Sequence, residues 1–328
     1  MPEGVELLVD RHAPEKARTA SSRTGDSRPQ VDVSGADMRD DSHMEGGLVT
    51  IGMERLIQAV DELTPRDRPV MVHVSLRSFG EWIEGGAETL LDALLSGRRT
   101  VLVPSFSESH FDAVPTAAMR PARNGIDYAD FAGKIREGPE YTIRCGLIDP
   151  SMGTVPATLI ARPGACRGQH PLDSFAALGP QAAELVAGQS TTDVYAPLRA
   201  LAERGGTVLL MGVGLNRMTA FHLAEQESGR RLFVRWTRGK QGEVKMVETG
   251  SCSEGFPRLE PCLRPYALTA GVGRSQWTAY PAKETIAAAS AAMSADPGIT
   301  HCSDKDCIRC RDSIAGGPIG SVVLGDGV

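Results

Sequence analysis

The chain has 328 residues, a net charge of −6, a 41% hydrophobic share and seven cysteines. That length allows one large or two ordinary domains, and the mild acidity argues against nucleic acid and for a cationic ligand. No window is long and apolar enough to span a bilayer, residues 5–9 are too short and too charged for a signal-peptide core, and a disulfide framework does not suit a chain of this size without an export signal, so a cytoplasmic protein is expected.

Residues 1–46 form an N-terminal extension, rich from position 11 in Arg, Asp, Ser, Gly and Pro. It cannot bury enough surface to offset its ordering entropy, so disorder is expected there. A single folded domain is expected over 47–328, closing with a Cys-rich segment at 300–312. Apolar spacing over 51–63 predicts a helix. Pro69-Val-Met-Val-His-Val-Ser75 reads as a buried strand, 76–86 as a loop, 87–95 as a helix and Thr100-Val-Leu-Val-Pro104 as a second strand. This succession is a βαβ unit, which requires a parallel pair and a right-handed crossover. Residues 107–144 have no clean period and read as a long functional loop with short helices. A helix over 155–161 stops before Pro163, and 174–187 mixes strand and helix signals. A helix over 196–204 precedes a third buried strand at 207–213 and another helix at 219–227. Alternating runs at 232–237 and 243–248 make a hairpin, and 281–295 is an Ala-rich helix.

Four motifs carry candidate chemistry, and each also has a plain structural reading. His73-Val-Ser75-Leu76-Arg77-Ser78-Phe-Gly80 ends the first strand; its hydroxyls and amides can cradle phosphate, or it is an ordinary strand-to-helix loop. It is neither a Walker loop nor a dinucleotide fingerprint. In His170-Pro171 the proline stiffens the backbone before it, and Arg167, Asp173 and Ser174 are near enough in sequence to orient the imidazole. His222 and Glu225, three apart on a helix, share one face at the carboxyl edge of the sheet, where open α/β folds bind ligands. A hydrolytic metal site there lacks a third ligand at a recognisable spacing. Cys307-x-x-Cys310 has zinc-knuckle spacing, and Cys302 or His301 together with Cys252 would complete four ligands; otherwise these are free thiols in a tail.

The order of these motifs is more specific than any one of them. His-x-Ser-Leu-Arg-Ser-x-Gly, then Val-Pro-Ser-Phe, then Met152-Gly153-x-Val155-Pro156 and Arg167-x-x-His170-Pro171-x-x-Ser174-x-Ala-Ala-x-Gly179, and last Thr219-x-x-His222-x-Ala224-Glu225, resemble the aminoglycoside 3-N-acetyltransferase family over roughly 51–236. The resemblance implies an α/β fold of three layers, α/β/α, with a central mixed sheet, a β-hairpin and a C-terminal helical, Cys-rich segment. It implies acetyl-CoA as donor and the 3-amino group of the 2-deoxystreptamine ring of an aminoglycoside as acceptor, hence antibiotic resistance. Carried over residue by residue, Ser75, Leu76, Arg77, Ser78, Val103, Pro104 and Ser105 would hold the cofactor and Thr219 would lie beside the pantetheine. His170 would be the catalytic base. Glu225 would support it, or would join Asp149, Met152, Asn216 and His222 around the acceptor. Asp112, Asp127 and Asp130 are further acidic candidates. Members ending in Cys-x-x-Cys point Cys252, Cys302, Cys307 and Cys310 toward a structural zinc.

Gly168, Met218 and Asn216 depart from the family's usual residues, and Asn216 removes a carboxylate that could bind a polycation. The acceptor is therefore an aminoglycoside or another small cationic amine, such as a biosynthetic one. Three other readings compete: a metallohydrolase built on His170 and His222, a zinc-organised binding module, and an acetyl-cysteine route through Cys145 or Cys166. Monomer and homodimer are both compatible with the sequence.

Overall fold

The protein is described by a computed structural model covering residues 50–131 and 138–320. The N-terminal stretch read as disordered, 1–46, lies outside the described residues. Eleven strands occur among them: β1 (Thr50–Ile51), β2 (Pro69–Val74), β3 (Trp82–Ile83), β4 (Thr100–Pro104), β5 (Cys166–Arg167), β6 (Phe175–Leu178), β7 (Thr207–Met211), β8 (Phe233–Arg238), β9 (Val244–Thr249), β10 (Leu268–Val272) and β11 (Ser275–Pro281).

Seven of them form one mixed sheet in the order β10-β11-β7-β2-β4-β6-β5. Its centre, β7-β2-β4, is parallel, and antiparallel strands flank it on both sides. The expected βαβ unit is β2, the helix Gly86–Leu95 and β4. Alternate residues of the central strands enter opposite cores, as the two-residue period of a strand requires. Met71, Leu102, Val208 and Leu210 pack toward the helices Ala196–Glu203, Ala220–Glu227 and Ala282–Ala295. Val70, Val72, Val101, Val103, Leu209 and Met211 pack toward Met53–Leu63, Gly86–Leu95 and Thr154–Ala161. Both faces are thus covered, which is why these strands read as unbroken apolar runs. The three-layer α/β/α expectation holds.

The ambiguous stretch 174–187 resolves into β6 and the helix Ala182–Val186. The β10–β11 hairpin has no counterpart among the sequence expectations. Much of β10 is exposed at the sheet edge, so it lacks the apolar run that marks the central strands. The hairpin β8–β9 stands apart as its own two-stranded sheet. Gly212, just past β7, adopts φ +66, and a Cβ there would lie 1.8 Å from Ser78 Oγ. Only glycine lets the exit of β7, the loop after β2 and the start of β11 meet at that point.

Leu209, fully buried in the middle of the sheet, tests this layering. Leu209→Ala is expected to cost about 2–5 kcal/mol, seen as a lower urea midpoint with an unchanged denaturant slope.

Candidate active site

The three parallel strands end at one edge of the sheet, and a cleft of ≈ 260 Å³ opens there. Each parallel strand contributes to its wall: His73 on β2, Pro104 at the end of β4, and Asn216 to Thr219 after β7. The end of β9 and the turn after it supply Thr249, Gly250 and Ser251. This is where a sheet with parallel central strands places its ligands.

His222 lies in the first turn of Ala220–Glu227, and its ring faces the cleft. Its Nδ1 is 2.8 Å from Glu225 Oε2. Tyr195 stacks on the imidazole with ring centroids 5.9 Å apart, and Phe256 meets it edge-on at 4.9 Å. Gly250 passes so close that a Cβ would sit 2.6 Å from Tyr195 Oη and 2.8 Å from the His222 ring. The ring is therefore clamped. Glu225, only 2% exposed, also accepts from Arg230 Nη1 at 2.8 Å, from Ser251 Oγ at 2.7 and 2.8 Å, and from Ser313 Oγ at 3.1 Å. Burial alone would raise its pKa. The His222, Ser251 and Arg230 contacts outweigh burial and hold the carboxyl below its ordinary value. An ionised Glu225 keeps the His222 proton on Nδ1 and leaves Nε2 as the lone-pair nitrogen. Among the described residues no hydrogen bond is made by that Nε2.

His170, expected to be the base, is placed elsewhere. It is wholly enclosed and does not line the cleft. Its Nδ1 accepts the Asp173 N–H at 2.8 Å, so its proton must sit on Nε2. Burial pushes its pKa down to about 3, against the opposing influence of the Glu248 backbone, so the ring is neutral. A general base must reach the substrate and take up its proton; two imidazoles line the cleft, and burial, then Arg217, pushes His73 down to about 3, whereas His222 has a carboxylate partner on Nδ1. His170 and His222 do not share the cleft, so the two rings do not come together there as a metal pair.

The motif around His170 is instead a hydrogen-bonded knot. Arg167 donates to Ser174 Oγ (2.9 Å), Ser105 O (2.7 Å), Ser107 Oγ (3.1 Å) and Cys145 O (2.9 Å). Gln189 Nε2 donates to Asp173 O at 2.9 Å, and its Oε1 accepts from Phe175 N at 3.0 Å. The knot presents Asp173 to the cleft, where Thr249 Oγ1 donates to its Oδ2 at 2.6 Å. Burial, then the negative charge of Glu108, pushes the Asp173 carboxyl well above its ordinary range.

The other expected residues divide. Pro104, Met152, Asn216, Thr219 and His222 line the cleft. Val103 and Ser105 are fully buried, and Ser105 Oγ is 3.0 Å from Ser174 Oγ, so neither side chain can reach a cofactor. Ser75, Leu76, Arg77 and Ser78 lie outside the cleft wall, and Ser78 Oγ bonds Ser75 O at 2.6 Å and Ser275 Oγ at 2.7 Å. Asp149 is also outside the wall, capping the Ser109 amide at 3.0 Å. Asp112, Asp127 and Asp130 do not line the cleft, nor do Cys145 and Cys166. Sequence reasoning misses Glu108, Tyr195, Ser251, Glu254 and Arg309 as wall residues, and takes Asp173 only as a support for His170. Glu108, four residues past the proline that ends β4, had a position to recommend it; the rest come from distant segments.

Beside the cleft, the sulfur atoms of Cys252, Cys302, Cys307 and Cys310 all lie within 4.8 Å of one another. Four thiolates about 2.3 Å from a tetrahedral zinc would stand about 3.8 Å apart, so the donor set fits that ion. Cys302 rather than His301 falls within this cluster, and His301 Nδ1 lies 3.0 Å from the Cys302 carbonyl instead.

Residues 71–294 match the family model Antibiotic_NAT, described as aminoglycoside 3-N-acetyltransferase. The chain is similar to aminoglycoside N(3)-acetyltransferase VIII of Streptomyces fradiae, 32% identical over 70% of this chain and 84% of the relative. It is also similar to aminoglycoside N(3)-acetyltransferase IX of Micromonospora chalcea, 33% identical over 55% of this chain and 63% of the relative, so the match to that relative spans less than two thirds of its length. Two solved structures show the same fold. One is a variant of AAC(3)-IVa in complex with a gentamicin, with a TM-score of 0.63 and 22% identity over 82% of this chain and 98% of that one. The other is AAC-IIIb with CoASH, with a TM-score of 0.61 and 21% identity over 75% and 97%.

A structural His170 has a measurable signature. His170→Ala leaves the buried Asp173 N–H without an acceptor and is expected to cost about 1–3 kcal/mol of stability, read from urea unfolding.

Proposed function

The chain belongs to the aminoglycoside 3-N-acetyltransferase family, and from that premise we propose that it moves an acetyl group from acetyl-CoA to the 3-amino group of the 2-deoxystreptamine ring of an aminoglycoside, with His222 as general base and Glu225 as its partner. The observation that carries the reading is the His222–Glu225 bond in the wall of the cleft. The solved complexes of AAC-IIIb with CoASH and of AAC(3)-IVa with a gentamicin support the two ligand classes.

An aminoglycoside amine is an ammonium at neutral pH and has no lone pair for attack. Nε2 of His222 takes that proton, and the amine nitrogen bonds to the thioester carbon. Glu225, ionised and already bonded to Nδ1, stabilises the imidazolium so formed. The tetrahedral oxyanion needs donors, and Thr219 and Arg217 line the same cleft. Collapse breaks the C–S bond, and the imidazolium returns its proton to the departing thiolate. The nitrogen gives up its second proton to solvent as the adduct collapses, so the products are the amide, CoA-SH and one released proton. The donor enters along Pro104 and Thr219, with the 75–78 loop reaching its outer part. Glu108 and Glu254 on the facing walls attract the remaining ammonium groups of the acceptor. Acetylation removes one of those positive charges, which is the basis of resistance. The four-cysteine set holds one zinc in a closed structural site, and no catalytic step passes through it.

Two outcomes are expected. His222→Ala lowers kcat/KM in a thiol-release assay with gentamicin by about 10²- to 10⁴-fold, while calorimetric acetyl-CoA affinity stays as it was; unchanged turnover retires the assignment. Elemental analysis of purified protein returns one zinc per chain, and substituting Cys310 by Ser lowers that content.

A further inference from the structure

Three separate segments of the chain bring the four cysteines together, and each also carries a hydroxyl to the catalytic carboxylate or to its arginine. On the first, Ser251 precedes Cys252 and bonds both oxygens of Glu225, at 2.7 and 2.8 Å. On the second, Thr300 stands two residues before Cys302. Its Oγ1 accepts from Arg230 Nη1 at 2.9 Å, the same nitrogen that bonds Glu225 Oε1 at 2.8 Å. On the third, Ser313 follows Cys310 by three residues on the helix Ile308–Ile314 and donates to Glu225 Oε1 at 3.1 Å. Arg309, between Cys307 and Cys310, ties the first and third segments together by donating to the Ser251 carbonyl at 2.9 Å. All three hydroxyl residues are buried.

None of these segments belongs to the seven-stranded sheet. The first is irregular chain after β9, the second a short 3₁₀ turn at Pro297–Thr300, and the third a seven-residue helix. Segments of this kind open locally at little cost unless something cross-links them. The sulfur cluster is the feature that joins all three.

We propose that the four-cysteine centre is the mount of the catalytic carboxylate, with Ser251 and Ser313 as positioning residues that hold Glu225 and, through it, the His222 proton on Nδ1. The inference rests on His222 being the base and adds that metal loading governs turnover. Donors fixed in advance around a buried charge stabilise it without reorganisation during the reaction. Losing the mount therefore slows the chemical step and also loosens the part of the wall made by Ser251, Cys252, Glu254 and Arg309, while Pro104 and Thr219 on the sheet side stay in place.

The test uses the full chain loaded with Zn²⁺. Ser251→Ala and Ser313→Ala are each expected to lower kcat about ten- to hundredfold, the worth of a hydrogen bond to a buried charge. The KM values for acetyl-CoA and gentamicin should stay within about twofold, and Ser313→Thr, which keeps the hydroxyl, should recover most of the rate. A second readout needs no turnover. Hydrogen exchange followed by mass spectrometry should show peptides covering 219–229 and 250–256 exchanging faster after zinc is removed by chelation, with 69–74 still protected. The proposal is overturned if both serine-to-alanine variants keep full kcat, or if 219–229 is equally protected with and without zinc. His222→Ala separates the two ideas. If that variant is inactive while the serine variants are wild type, only the mount fails; if it remains active, the base assignment fails and takes the mount with it.

Discussion

A carboxylate deep in a protein survives as a charge only when donors replace the water it has lost. Glu225 has them from His222, Arg230, Ser251 and Ser313. Everything distinctive about the cleft follows from keeping that charge where it is. The imidazole is oriented by it, and the turn after β9 is pinned over it. Arg230 is in turn anchored by Thr300 Oγ1 and by the Pro297 carbonyl at 2.8 Å. Removing any one donor leaves the rest to hold a buried anion that is less well satisfied.

The sheet makes this arrangement possible. β7 runs parallel to β2 beside it, and the chain leaving β7 must turn sharply at Gly212 before entering the helix that bears His222 and Glu225. The helix buries Phe221, Leu223 and Ala224 against one core of the sheet, which leaves the His222 face for the cleft. The His222–Glu225 pair thus sits on a rigid element, while Glu108, Asp173 and Glu254 of the cleft wall come from outside the seven-stranded sheet.

The architecture was largely legible in the amino-acid order. Unbroken apolar runs at 69–74, 100–104 and 207–211 marked strands covered on both faces, and the alternating pair β8–β9 marked a hairpin. The edge strands were not legible, since an exposed strand such as β10 has little to distinguish it locally. The site was half legible. The spacing of His222 and Glu225 placed both on one helix face, and the gathered cysteines are the four whose sulfurs the fold brings together. The neighbourhood of His170 is as specific as a catalytic motif, and in the fold Arg167 and Gln189 use it to satisfy buried backbone groups, with the imidazole enclosed away from the cleft. Sequence shows that a pattern is constrained, and only the fold shows whether the constraint is chemical or architectural. The acidic wall was missed for a simpler reason: Glu108, Asp173 and Glu254 are far apart along the chain and meet only in three dimensions.

Gly250 carries one more consequence. Because the backbone there lies against both the His222 ring and Tyr195, that side of the cavity has no room for variation. A side chain at 250 would push the imidazole away from its place beside Glu225, so this stretch of backbone belongs to the geometry as much as the rings it presses on.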